Sequence, residues 1–108
     1  MADPALARLR LARTSRIGPV SWRSLVARFG SAERAVEALP DLMQRQGSPA
    51  FKPYDAARAE REIASVAALG ARHIFVDDAD YPPLLRELNS APPVLIWTTG
   101  ILSLAMRS

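Results

Sequence analysis

Through residue 39 apolar side chains recur at helical spacing, and after residue 70 they gather into short unbroken runs, so the chain predicts helices first and strands later. Asp3 suits an N-cap and Pro4 the first helical position. Leu6 and Leu9 then share one face of a helix that should fade at Arg13-Thr14-Ser15. Ile17-Gly18-Pro19-Val20 predicts a tight turn, in which Gly18 can take a positive φ and Pro19 cannot continue a helix inward. Trp22, Leu25, Val26 and Phe29 mark one face of a second helix, which Gly30 should stop. Ser31 caps a third helix, with Glu33 in its first turn and Ala32, Ala35, Val36 and Leu39 as its stripe until Pro40. The polar, Gly- and Pro-broken stretch Gln44-Arg45-Gln46-Gly47-Ser48-Pro49, with Pro53 beyond it, predicts a connector.

Asp55 caps a fourth helix whose face carries Ala59, Ile63, Val66 and Ala67 before Gly70 ends it. The period then changes. His73-Ile74-Phe75-Val76 and Val94-Leu95-Ile96-Trp97-Thr98-Thr99 are β-branched and aromatic runs that predict strands buried on both faces. Between them, Pro83 should start a short helical turn through Leu84, Leu85 and Leu88. Two such strands need a wider sheet and cover on both faces, so the chain is expected to be the front end of a longer protein. Its expected division is a helical domain over residues 1–50, then a linking helix and the beginning of an α/β domain over 51–108.

Hydrophobic residues at 49% and charged residues at 23% of 108 are ordinary globular values and argue against a disordered tail. No apolar run approaches the roughly 18 residues of a membrane span, and MADPALARLR lacks a signal-like apolar region; a soluble, cytoplasmic protein is expected. Without cysteine there is no disulfide framework, thiolate nucleophile or Cys-based metal site, and with His73 alone there is no multi-histidine site. Asp77, Asp78 and Asp80 lack the further ligands and distal glutamate of a calcium loop and read as turn and capping residues. No Gly-rich phosphate loop occurs, and no acid, base and nucleophile can be assembled into a catalytic group, so neither a cofactor nor an enzymatic activity is expected.

Charge is more informative. Residues 1–54 carry nine basic and four acidic side chains, while residues 55–108 carry five and seven. Across the first thirty residues Arg8, Arg10, Arg13, Arg16, Arg23 and Arg28 face one acid, Asp3, which suits a polyanionic partner. A solvated face with no ligand is the other reading of the cluster. The turn Ile17-Gly18-Pro19 between two helices resembles a helix-hairpin-helix, whose turn and second-helix amides meet phosphate; a purely structural αα-turn fits the same spacing. On the first reading, Arg16, Ile17, Gly18, Pro19 and Arg23 form the candidate DNA-binding set.

Three stretches together resemble the DNA-processing protein A family, also called Smf or DprA. They are Arg16-Ile17-Gly18-Pro19-Val20 with Leu25 and Phe29-Gly30-Ser31, then Tyr81-Pro82-Pro83-Leu84-Leu85, and last Ala91-Pro92-Pro93-Val94-Leu95 through Gly100. The resemblance implies a helical N-terminal domain of sterile-alpha-motif-like or helix-hairpin-helix-like shape, followed by the first strands of an extended Rossmann-like domain that this chain truncates. It also implies single-stranded DNA binding, loading of a RecA-type recombinase in natural transformation and recombination, a homodimer and no enzymatic activity. The family's principal single-strand pocket, a glycine-serine-arginine loop, has no counterpart among these residues. From the residues alone, a rival remains: a protein-interaction helical bundle that docks on its own core domain or on a regulatory partner without touching nucleic acid.

Overall fold

A computed structural model describes residues 4–47, 51–88 and 90–98. The predicted cap at Asp3, the Ser48-Pro49 end of the connector and the segment from Thr99 through Gly100 to Ser108 lie outside them. The element order is α1 (Pro4–Arg13), α2 (Pro19–Phe29), α3 (Ala32–Arg45), α4 (Ala56–Ala68), β1 (Ala71–Phe75), α5 (Pro83–Arg86) and β2 (Val94–Thr98). Among the described residues this is a helical domain of five helices with a small two-stranded antiparallel sheet.

Helix α1 is the central element. It packs on α2, α3 and α4, and both Leu9 and Leu11 are fully buried although they point to different sides of the helix. The Leu6 and Leu9 stripe therefore describes only one of its covered faces. Helix α2 buries Trp22 and Leu25 and half-buries Val26 and Phe29, as its spacing predicts. It ends at Gly30, whose left-handed φ of 87° lets its N–H reach the Val26 carbonyl at 2.8 Å. The Ser31 hydroxyl accepts from the Arg34 amide at 3.2 Å, and the Asp55 carboxylate accepts from the Arg58 amide at 3.0 Å, so both predicted N-caps form.

Helix α3 does not stop at Pro40 but continues to Arg45. Proline removes one amide donor from the helix and crowds the preceding turn, at a cost of about 3 kcal/mol in an interior position. Pro40 lies on the exposed side, and the turn beyond it carries Leu42 and Met43 against the core, which offsets that cost. On α4, Ala59 and Val66 are buried and Ile63 is half-buried, while Ala67 faces solvent.

The two strands pair with each other, antiparallel, in the register Phe75↔Val94, Ile74↔Leu95, His73↔Ile96, Arg72↔Trp97 and Ala71↔Thr98. The pairing continues past β1, where the Val76 amide donates to the Pro93 carbonyl at 2.9 Å. Burial on both faces holds only for the C-terminal end of β1, where the adjacent residues Ile74 and Phe75 point to opposite sides and are both at 0% exposure. Arg72 is exposed, and on β2 Ile96 is 52% exposed. The reason is that α4 packs on β1 and Arg8 of α1 lies over the Phe75 ring, whereas β2 packs chiefly on β1.

The connection between the strands closes on fully buried Tyr81, whose hydroxyl donates to the Pro92 carbonyl at 2.7 Å. Burial pushes its phenol upward from the usual value, against the lowering influence of Arg23 and Arg86, so it remains a donor at neutral pH. Arg86 ties the same connection together, donating to the carbonyls of Val76 at 2.9 Å and of Asp78.

Candidate nucleic-acid interface

The segment joining α1 to α2 is held from below by Thr14, which is 3% exposed. Its hydroxyl donates to the Arg10 carbonyl at 2.6 Å and accepts from the Tyr54 amide at 3.0 Å. Its own carbonyl accepts from the Ile17 amide at 3.2 Å, so the turn leaves α1 in a fixed direction. Sequence reasoning passed over Thr14, because a threonine at a helix end carries no mark of burial, and its partner Tyr54 lies forty residues away.

The left-handed residue of the turn is Arg16, at φ 72°, and not Gly18 as expected. Gly18 has φ −93° and ψ −175°, extended backbone open to any residue, and a Cβ placed there would meet nothing within 4 Å. Its position is N-cap of α2, with Pro19 opening the helix. The first helical bond runs from the Trp22 amide to the Gly18 carbonyl at 2.9 Å, so the amides of Val20 and Ser21 have no acceptor within the helix. Arg16, Ile17, Gly18 and Pro19 thus form one continuous surface, with Arg16 and Gly18 exposed and Ile17 half-buried.

Two substitutions separate the conformational roles. Arg16→Gly should raise stability by about 1 kcal/mol, because it relieves a left-handed side chain. Gly18→Ala should leave stability unchanged or slightly raised, since neither φ nor space opposes it. Thermal or denaturant unfolding of the two variants checks both, and a loss above about 1 kcal/mol for Gly18→Ala would contradict the geometry.

Arg23 lies elsewhere. Its Nη2 donates to the Arg86 carbonyl at 2.9 Å, and it lines a depression with Trp22, Val26, Asp77 and Arg86. Arg16 instead lies with Arg28 along a groove between α2 and α3. The three arginines of α1 are engaged within the molecule. Arg8 makes ion pairs with Asp77 at 3.0 Å and Asp78 at 2.8 Å, and its guanidinium stacks 4.3 Å from the Phe75 ring centroid. Arg10 donates to the Tyr54 carbonyl at 2.9 Å, and Arg13 grips both oxygens of Glu62 at 3.2 and 3.0 Å. The basic first half and acidic second half therefore complement each other across the fold.

The acids respond to that pairing. Burial would raise the Glu62 carboxyl, but hydrogen bonds from Arg13 and His73 outweigh it and hold it below the ordinary value. His73 meets Glu62 at 2.7 Å, a structural contact. For Asp78 burial again opposes ionisation, and the Phe75 amide at 2.8 Å, with Arg8 and Arg72, outweighs it. Asp80 pairs with Arg72 at 2.7 Å. Among the described residues no cluster of His, Cys, Asp or Glu is arranged to hold a metal, and no helix is long and apolar enough to cross a membrane.

Comparison with known families finds a match to the DprA-like N-terminal HHH domain over residues 2–65, a span that takes in α1, the turn, α2, α3 and most of α4. Among curated proteins nothing matches.

Proposed function

Because the chain belongs to the family of DprA-like N-terminal HHH domains, we propose that it is the N-terminal part of a cytoplasmic protein that binds single-stranded DNA and passes it to a RecA-type recombinase in natural transformation and recombination. In this reading residues 1–50 are the helical domain, residues 51–108 begin an extended Rossmann-like domain, and the complete protein works as a homodimer without catalysing a reaction. The observation that carries the reading is the basic hairpin turn inside the matched span. Arg16 supplies charge, and the amides at the start of α2 supply donors along an open approach across Gly18.

Gly18 suits that role, because a glycine with no conformational need for itself keeps the backbone bare where a phosphate must come close. Ile17 and Pro19 hold the turn in shape. Arg23, with one nitrogen given to the Arg86 carbonyl, adds a weaker and more distant charge. The arginines of α1 add little, being paired inside the fold.

Titration of a fluorescein-labelled thymidine 20-mer at about 50 and 200 mM salt tests the proposal. Each phosphate neutralised contributes a slope of about −0.7 in log affinity against log salt for a single strand. Two contacts then predict a fall of about sevenfold over that range, with Arg16→Glu removing most of the low-salt affinity. Salt-insensitive binding, or no binding at low salt, contradicts the proposal. A second titration, in which the chain speeds or fails to speed recombinase assembly on the same oligonucleotide, tests the delivery step.

A further inference from the structure

The groove between α2 and α3 has a volume of about 460 Å³. Its floor is aliphatic, built from Ile17, Leu25, Leu39, Leu42 and Met43, and Val20 stands at its lip with 60% of its surface exposed. Among the described residues Arg16 and Arg28 are its charged members, and neither a carboxylate nor an aromatic ring lines it. Ser21, Ser24 and Gln46 are its neutral polar members, and an aliphatic trough with arginines as its charged members is complementary to an apolar side chain carried between acidic ones. A single strand of nucleic acid would meet the cations but find no ring on which to stack a base.

We propose that this groove binds an acidic amphipathic helix of a protein partner. One or two leucine-like side chains at i and i+4 enter the trough over Leu42 and Met43, while flanking carboxylates reach Arg28 and Arg16. The site goes beyond the DNA reading and does not depend on it; the two share Arg16, so a strand on the turn and a helix in the groove compete for one guanidinium. Arg28 belongs to the groove alone. It lies one turn beyond Ser24 on the groove side of α2, with its guanidinium 5.1 Å from the Phe29 ring centroid, which holds it at the rim.

The test uses the full chain and a labelled helix-forming 16-residue peptide with leucines at i, i+4 and i+7 and glutamates between them. The expected result is saturable binding that weakens at least about tenfold when the leucines become serines. Arg28→Glu should weaken the glutamate peptide about tenfold and restore affinity for a version with lysines in place of glutamates, and Val20→Ser should cost about threefold. Both substitutions are at exposed positions, so a matching melting temperature confirms that the fold is intact. Equal binding of the leucine and serine peptides, or no binding, overturns the proposal. So does an Arg28→Glu variant that keeps its peptide affinity but loses affinity for the thymidine 20-mer, which would make the groove a nucleic-acid surface. The oligonucleotide arm on its own reports on the hairpin turn, so the failure of one proposal is distinguishable from failure of the other.

Discussion

Replacing Trp22 with alanine should lower the free energy of unfolding by about 3–5 kcal/mol, the range for emptying a large aromatic site. Trp22 is 1% exposed and is the largest fully buried side chain, and its indole N–H donates to the Arg8 carbonyl at 3.2 Å. Its loss removes both the packing and the only polar link described between α2 and the middle of α1. Domains of this size have a total stability of about 5–15 kcal/mol, so the variant should be partly unfolded at body temperature or melt far below the parent. Denaturant titration with circular dichroism checks it. A loss under about 1 kcal/mol would mean that α2 does not dock through this ring.

The second large effect belongs to Arg8→Ala, expected to cost about 2 kcal/mol. The guanidinium joins α1 to the strand connection through Asp77, Asp78 and the Phe75 ring. Removing it leaves Asp78, whose side chain is 29% exposed, with the Phe75 amide as its remaining local donor. The loss should be uneven, with hydrogen exchange accelerating in β1 more than in α2 or α3.

The same pairing sets a pH dependence. Glu62 and Asp78 titrate below their ordinary values of 4.5 and 3.8, so their contribution is fully present above those values. It is lost as pH falls through the lower folded values, because the unfolded chain takes up the protons first. The parent should therefore destabilise below about pH 4.5, and Arg8→Ala should flatten the Asp78 share of that slope. Melting curves between pH 2.5 and 7 measure both. An Arg8→Ala profile parallel to the parent's would show that the ion pair is not coupled to folding.

The helices were visible in the chain because their signals are local. Ser31 and Asp55 cap, Gly30 terminates, and Trp22 and Leu25 keep a helical period, all within a few residues of one another. Pro40 misled, because a proline penalty is also local and the packing of Leu42 and Met43 that offsets it is not. The basic cluster misled for a related reason. Arg8 and Arg13 meet acids 49 to 70 residues away, so an arginine-rich opening read alone overstates the charge available to a ligand. At the turn, residue type singles out Arg16 to Pro19 as a candidate, but the positive φ falls on Arg16 and the anchor is Thr14. Neither conformation nor burial of a single turn residue is encoded by spacing.

The surface that meets phosphate is located most directly by amide chemical-shift mapping of the labelled chain as the thymidine 20-mer is added at low salt. The hairpin account predicts the largest shifts at the amides of Ile17, Gly18, Val20 and Ser21, reversed by added salt and absent in Arg16→Glu. Shifts concentrated on α4 or the strand pair, with the turn unmoved, would contradict it.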